Sequence, residues 1–225
     1  MLIDRTIGDI LPTPIIRPDV TAADLGFRKD VDGQVDRFLA DAAGQELSST
    51  AASMFIELND IVPTSVVTAL TVVIDYDVAL GSAVLKDAAE LLLAGVGTVI
   101  LNTLGDPSIF PVPRNDPPEL AAPGTLASNA FNQTIEAGAA TLEASGAEVI
   151  IVDMAAIFAE VEADYSSFGF RILDEPVFLP DVDGECIEEF NPVVFGIPLD
   201  QAAFIDSVHS TAALRGILRR SRTKA

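Results

Sequence analysis

The residues best suited to chemistry lie near the C-terminus, where Asp206 stands three residues before His209, the only histidine of the chain. A carboxylate beside an imidazole can accept the proton on one ring nitrogen, which leaves the other nitrogen available as a base. The pair therefore predicts general-base chemistry. The alternative interpretation is that Asp206 is a turn residue and His209 a solvated side chain.

The elements on either side of this pair would place it on a short loop. An apolar pair, Phe204 and Ile205, leads into Asp206. Ser210 or Thr211 can cap a helix, because apolar residues then recur at helical spacing, at Leu214, Ile217 and Leu218. The pattern predicts a hydrophobic segment, a loop that carries both side chains, and a helix.

The rest of the chain alternates between apolar runs and helical patterns. Near-continuous apolar runs predict buried strands at residues 51–58, 97–104 and 148–154. Apolar spacing predicts a helix from Val31 that ends before Gly44, and others at residues 66–93, 127–145 and 155–163. For the longest helix, residues 66–93, the sequence allows either a continuous helix or a break at Gly81. Residues 105–123 and the acidic residues 174–189 are predicted as loops.

These elements predict an α/β fold with three layers, α/β/α, in which a mainly parallel central sheet is buried on both faces. Ligands bind at the carboxyl ends of such strands, where Asn59 and the loop after Leu104 would open. Neither a repeat nor a linker stands out, so residues 1–225 are predicted to form a single domain.

Composition narrows the class of protein. The 225 residues are 49% hydrophobic, which is typical of a globular chain, and the formal charge of −21 argues against nucleic acid and anionic membranes as partners. A single cysteine, Cys186, excludes an intrachain disulfide. Neither a transmembrane segment nor a signal peptide is visible, and the compartment stays open.

Three segments together resemble the GDSL or SGNH hydrolases, a family of serine esterases and lipases. F-I-E-L-N-D at residues 55–60 is similar to the family block Gly-x-Asn-Asp at a strand end. Residues 131–158 are similar to a helix, strand and helix of its lecithinase-like branch, and F-I-D-S-V-H-S-T at residues 204–211 is similar to its last block, Asp-x-x-His. The resemblance covers about residues 31–220, so residues 1–30 are divergent or truncated. Members of the family are often secreted.

The resemblance implies a role for each matched residue. His209 would be the general base, Asp206 would orient it, and Asn59 would donate its side-chain amide to the oxyanion of a tetrahedral intermediate. The implied reaction is hydrolysis of a carboxylic ester, small or lipid, through an acyl-enzyme. That chemistry needs neither a metal nor an organic cofactor.

The chain also departs from the family pattern. Glu57 stands where the family block has glycine, and Ser210 stands where it usually has proline. The string nearest to the nucleophile block Gly-Asp-Ser-Leu is Gly8-Asp9-Ile10-Leu11, and Ile10 has no hydroxyl to attack an ester. The sequence thus predicts either an esterase whose first strand and nucleophile block are lost or replaced, or a relative that binds without hydrolysing.

Two other interpretations, a calcium-binding loop and a flavodoxin-like domain, are less favoured by the sequence. Asp181, Asp183 and Glu188 suggest a calcium loop, but the spacing lacks a third acidic ligand and the required glycine, so a solvated acidic loop is favoured. An unrelated flavodoxin-like domain would need phosphate-binding loops at the strand ends, and the sequence offers none.

Overall fold

A computed structural model of the chain describes residues 2–3, 31–55, 70–111, 118–180, 187–206 and 209–221. The chain divides into two compact units, the first formed by residues 1–104 and 127–152 and the second by residues 105–126 and 153–225. The single domain expected from the sequence stays a prediction.

The first unit is built on a parallel sheet. Strands β1 (Leu2–Ile3), β2 (Ala51–Met54), β3 (Thr98–Asn102) and β4 (Glu148–Val152) are neighbours in that order. Ala52 pairs with Val99, and Val99 pairs with Val149. The sequence-based prediction that these three longer segments are adjacent parallel strands is confirmed, with residues 56–58 of the first lying outside the described residues.

Three helices cover one face of this sheet: α1 (Val31–Asp41), α2 (Leu70–Leu93) and α3 (Pro118–Ala144). Right-handed crossovers between strands that are adjacent in chain order put the connecting helices on the same face. The buried residues agree, because helices and strands share one apolar cluster that includes Val31, Val35, Ala52, Met54, Leu80, Val84, Ala88, Leu91, Val99, Leu101, Phe131, Ile135, Ala139 and Val149.

The opposite face of the sheet is less buried than the sequence predicts. Ser53, Ile100 and Ile150 are half-buried, and Glu148 is exposed. The alternation of buried and half-buried positions along each strand is typical of a sheet packed mainly on one side. Two layers are therefore described, and the third layer stays a prediction.

Two helices differ from the sequence-based prediction. Helix α2 runs through Gly81 without a break, and a Cβ at Gly81 would lie 3.0 Å from Cβ of Thr134, so glycine permits close packing of α2 on α3. Helix α3 begins at Pro118, so the predicted loop over residues 105–123 is too long. Pro118 occupies the first helical position, where no N–H is needed, so the helix can begin there.

The second unit holds the remaining elements: α4 (Met154–Ala163), the antiparallel strands β5 (Phe178–Pro180) and β6 (Ile187–Phe190), and α5 (Ala212–Ser221). Asp153 caps α4 by accepting a hydrogen bond from the Ala156 amide at 3.0 Å. The predicted exposed loop over residues 174–189 is wrong for its described part, which contains this hairpin and the buried Val177, and residues 181–186 lie outside the described residues. Its charge was misleading, because apolar residues between the acids supply the packing.

Two apolar groups stabilise the second unit. The ring of Phe110 packs against those of Phe158 and Phe204, with centroids 5.8 and 5.1 Å away. A separate cluster consists of Ile172, Val177, Val194 and Ala202, with Phe178, Ile197 and Ile205 packed against it. Among the described helices of both units, none is long and apolar enough to cross a membrane.

Candidate functional site

Asp206 and His209 lie on a tight loop whose two sides are joined by backbone hydrogen bonds. The Ile205 amide donates to the carbonyl of His209 at 2.8 Å, and the Thr211 amide donates to the carbonyl of Ala203 at the same distance. Phe204 and Ser210 form an antiparallel bridge between these bonds. The backbone on both sides of residues 207–208, which lie outside the described residues, is therefore held together beside the two side chains.

The two side chains are in direct contact. Nδ1 of His209 lies 2.8 Å from Oδ2 and 3.0 Å from Oδ1 of Asp206. The backbone amide of His209 also donates to Oδ1 at 2.7 Å. The hydrogen-bond distance predicted from the Asp-x-x-His spacing is confirmed. Asp206 also accepts a turn-type bond from the His209 amide and the His209 side chain is partly exposed, so the alternative of a turn residue beside a solvated side chain is not contradicted.

Burial separates the roles of the two residues. The Asp206 side chain is 10% exposed, whereas the His209 side chain is 44% exposed. A buried carboxylate that accepts from Nδ1–H fixes the neutral tautomer in which Nε2 carries the lone pair. Within the described part of the chain, Nε2 makes no hydrogen bond. The imidazole can therefore take a proton from a bound molecule at Nε2.

Thr211 anchors the loop to the helix that follows. Its hydroxyl donates to the carbonyl of Ala202 at 2.8 Å and accepts from the Leu214 amide at 3.4 Å. The second bond is the N-cap of α5, so the capping prediction is confirmed for Thr211. The first bond was missed, because nothing in the sequence indicates that a capping threonine also ties the helix to the preceding segment.

The other side of the loop is held by neighbouring segments of the same unit. Val177 and Phe178 donate their amides to the carbonyls of Phe204 and Ile205, at 3.1 and 2.9 Å. The Ala203 amide donates to the carbonyl of Ile172 at 3.1 Å. The apolar segment expected before Asp206 thus behaves as a short strand, and Phe204 is fully buried.

The remaining residues predicted for the site lie outside the described residues. Asn59, the predicted oxyanion donor, and Ile10, at the nearest Gly-Asp-x-Leu string, are both among them. So are Glu57 and Cys186. Ser210, the serine next to His209, instead accepts a hydrogen bond from Nε of Arg215 at 3.3 Å.

The first unit carries a separate cluster of charges. One carboxylate oxygen each of Asp32, Asp87 and Glu90 lies within 4.8 Å of the others. Nζ of Lys86 lies 2.8 Å from Asp32 and 3.2 Å from Glu90, so the chain supplies its own cation here. The hydrogen bond to Asp32, followed by that to Glu90, raises the pKa of Lys86. This arrangement describes an ion-pair network between α1 and α2.

Asp77, in α2, is a buried acid of a different kind. It is fully buried, and neither of its carboxylate oxygens has a hydrogen-bond partner among the described residues. Burial raises its pKa to about 7, because desolvation disfavours the charged form. No sequence pattern indicates this burial, since an acid in an apolar helix usually lies on the exposed face.

Comparison with known proteins adds no relative: no model of a known protein family matches the chain, and no curated protein is significantly similar to it.

Proposed function

We propose that this chain is an SGNH-hydrolase-like α/β protein whose Asp206–His209 pair serves a site for carboxylic esters, including lipid esters. The observation that carries the proposal is the contact of 2.8 Å between Nδ1 of His209 and the buried carboxylate of Asp206. A structural histidine does not need a buried carboxylate on one nitrogen and solvent access on the other. A general base needs both.

In the proposed reaction, Nε2 of His209 accepts the proton of a hydroxyl as its oxygen attacks the ester carbonyl carbon. Asp206 stabilises the imidazolium that results. The imidazolium then gives the proton to the departing alcohol, and an acyl-enzyme remains for water to hydrolyse. Asn59 is proposed to donate its amide to the oxyanion of the tetrahedral intermediate.

The strand order is compatible with this class of fold. Flavodoxin-like sheets have the order 2-1-3-4-5. The order β1-β2-β3-β4 corresponds to strands 1, 3, 4 and 5 of that sheet. In this alignment, residues 55–60 follow the third strand and the Gly8-Asp9-Ile10-Leu11 string follows the first, where the family carries its oxyanion and nucleophile blocks.

A second candidate function is ester binding without turnover. Ile10 stands in place of serine in the string nearest to the family block Gly-Asp-Ser-Leu, and among the described residues no serine hydroxyl is hydrogen-bonded to His209. Losing a triad member costs about 10⁴–10⁶ in turnover, which leaves activity near background. We therefore expect the unmodified chain to turn over a short-chain nitrophenyl ester slowly and to resist labelling by a fluorophosphonate.

Labelling by a fluorophosphonate probe distinguishes the two candidates. Robust labelling of one serine in the unmodified chain, lost in His209→Ala and Asp206→Asn, would establish the hydrolase. Asp164→Asn is the matched control, because it makes the same carboxylate-to-amide change at an exposed position of the second unit. If that control also lost labelling, the effect would not belong to the pair.

Ile10→Ser tests the second candidate directly. If Ile10 occupies the nucleophile position, the new hydroxyl should be labelled, and adding His209→Ala should remove the label. Leu11→Ser is the control one residue away and should stay unlabelled. Absence of label in both the unmodified chain and Ile10→Ser would contradict the proposed serine-hydrolase arrangement.

A further inference from the structure

The second unit presents an uncharged apolar segment to solvent, here called the apolar loop (residues 190–199). Its sequence, F-N-P-V-V-F-G-I-P-L, contains no charged residue, although 21% of the chain is charged. Phe195 is 85% exposed, Val193 64% and Leu199 56%. Large apolar side chains clustered in this way mark interaction surfaces, whereas single exposed ones need no explanation.

The apolar loop is held by internal bonds. Asn191 is buried, and its side-chain amide donates to the carbonyl of Pro176 at 3.0 Å and to Glu175 Oε2 at 2.9 Å. Its side-chain oxygen accepts from the Val193 amide at 3.0 Å. These bonds fix the backbone, so the exposed side chains are displayed without the ordering cost of a flexible loop.

The core of the second unit also anchors the apolar loop. Val194 is 1% exposed, and together with Ile197 it packs in the cluster that contains Ala202 and Ile205. Val193 and Phe195, on either side of Val194, therefore point away from that cluster. Ala202 and Ile205, which pack with Val194 in this cluster, belong to the segment that immediately precedes Asp206 in the chain.

Backbone pairing sets the distance between the apolar loop and the candidate site. The Asn191 amide donates to Val177, and the Val177 amide donates to Phe204. Residues 177–178 thus lie between the start of the apolar loop and the segment before Asp206. The backbone at Asn191 and the backbone at Phe204 are therefore separated by two strand spacings, which is about 10 Å.

We propose that the apolar loop is an interfacial binding surface that docks the second unit onto an uncharged lipid surface, such as a zwitterionic bilayer. Phe195, Val193 and Leu199 would enter the boundary between headgroups and acyl chains. That the lipid ester is also the substrate rests on the proposed function, but the binding itself does not.

The charge of the chain favours an uncharged lipid surface over anionic lipid and over a second copy of the chain. A chain of net charge −21 is repelled by anionic lipid and by a second copy of itself, and no cation in the apolar loop offsets this. Glu189 and Asp200, which flank the loop, are exposed as well. An uncharged surface carries no such penalty while still offering apolar contact.

The test is flotation of the full chain with phosphatidylcholine vesicles. Phe195→Ser and Val193→Ser should each reduce the bound fraction, and together should weaken partitioning by at least about tenfold, because exposed apolar area drives the binding. Leu93→Ser is the matched control, since Leu93 is 87% exposed but lies at the end of α2 in the first unit. It should bind like the unmodified chain.

Two further measurements make the outcome decisive. Adding phosphatidylserine to the vesicles should weaken binding at low salt. Binding should also persist whether or not the same sample is labelled by a fluorophosphonate, so its outcome is independent of the proposed function. Failure to bind phosphatidylcholine, or an equal loss in Leu93→Ser, would overturn the proposal. So would sedimentation showing a dimer that Phe195→Ser dissociates, since the surface would then serve self-association.

Discussion

His209 is held by a carboxylate that is itself almost completely buried. Burying Asp206 removes hydration from a charged group, and two N–H groups of His209 offset that loss: the backbone amide at 2.7 Å and the ring at 2.8 Å. The backbone bond preorganises the carboxylate before the ring arrives. Asp206 is therefore held in place to orient the imidazole.

This arrangement predicts the tautomer of His209. In the neutral ring, Nδ1 should carry the proton, because Asp206 accepts it. Since the chain has a single histidine, ¹⁵N-edited NMR of the imidazole should show one unambiguous ring with a protonated Nδ1. Asp206→Ala should abolish this preference, whereas Asp164→Asn should not. A predominantly Nε2-protonated ring in the unmodified chain would contradict the proposed base.

Because of Asp77, we predict that the free energy of unfolding changes with pH in the direction opposite to that expected of most carboxylates. Its pKa is raised by burial from an ordinary 3.8 to about 7, so the folded chain holds a proton that the unfolded chain releases. Its contribution to stability is thus complete below about pH 4 and is lost as pH rises to about 7. Asp77→Asn should stabilise the fold at pH 8 by about 2–4 kcal/mol and give little gain at pH 4.

Urea unfolding at the two pH values measures this effect. Asp164→Asn is the sign control: hydrogen bonds from Ser166 and Ser167 lower the pKa of that exposed carboxyl, so its stabilisation is present above its ordinary pKa and lost as pH falls. Its removal should bring no gain at pH 8. An Asp77→Asn variant whose gain is the same at both pH values would show that the titration of Asp77 is not responsible.

At the scale of secondary structure, the sequence was most informative where an apolar pattern was long. The parallel strands and helix α1 follow from runs that have one interpretation. The hairpin of β5 and β6 could not be predicted, because seven acids between residues 174 and 189 obscure the short apolar pair Val177–Phe178, which packs with Val194 and Ala202. Contacts between distant segments decide such elements, and composition does not record them.

The candidate site shows the same division. The spacing of Asp206 and His209 allows their contact but equally allows a turn residue beside a solvated histidine, and the family resemblance was what favoured the contact. The bond from Thr211 to Ala202 spans nine residues, and the support from Val177 spans more than twenty-five, so neither leaves a local pattern. The apolar loop escaped notice because exposure, and not sequence, distinguishes it from a core segment.

Glycine at the start of β3 gives a prediction at the element scale. A Cβ on Gly97 would lie 2.0 Å from the carbonyl oxygen of Ser48, a backbone atom that cannot rotate away. The Gly97 amide also donates to the carbonyls of Leu47 and Thr50 at 3.1 Å. Gly97→Ala should therefore destabilise the chain by about 2–4 kcal/mol through forced backbone movement.

Gly216→Ala provides the contrast for Gly97→Ala. It lies within α5, and apart from the helix's own backbone no atom of the described residues lies within 4 Å of the added Cβ. Alanine should be neutral there or stabilise by up to about 1 kcal/mol, because helix propensity rises and no clash follows. Chemical denaturation of both variants measures the difference. Equal free energies of unfolding for the two would mean that the turn between residues 47 and 50 moves at no cost.

For the whole molecule, the dominant electrostatic feature is an excess of 34 acidic over 13 basic residues. Local networks such as that of Lys86 neutralise only a few of these charges. The rest repel one another more strongly in the compact state than in the unfolded chain. That repulsion should oppose folding and is the term that dissolved salt can reduce.

We therefore predict that sodium chloride stabilises the fold. Between about 10 and 300 mM salt, the Debye length shortens from about 30 Å to below 8 Å, which screens repulsion between separate surface charges but leaves close pairs largely intact. The free energy of unfolding should rise by about 1–2 kcal/mol, which raises Tm by about 2–8 °C for a chain of this size. Differential scanning calorimetry across a salt series measures the slope.

The matched variant replaces exposed acids by lysine, one in each unit. Glu143→Lys and Glu160→Lys each add two positive charges, which moves the formal charge from −21 to −17. The double variant should be more stable at low salt and should respond less to added salt, because less repulsion remains to be screened. A Tm that falls as salt is added to the unmodified chain would mean that attractive pairs such as Lys86 with Asp32 dominate the electrostatics, and the repulsion argument would fail.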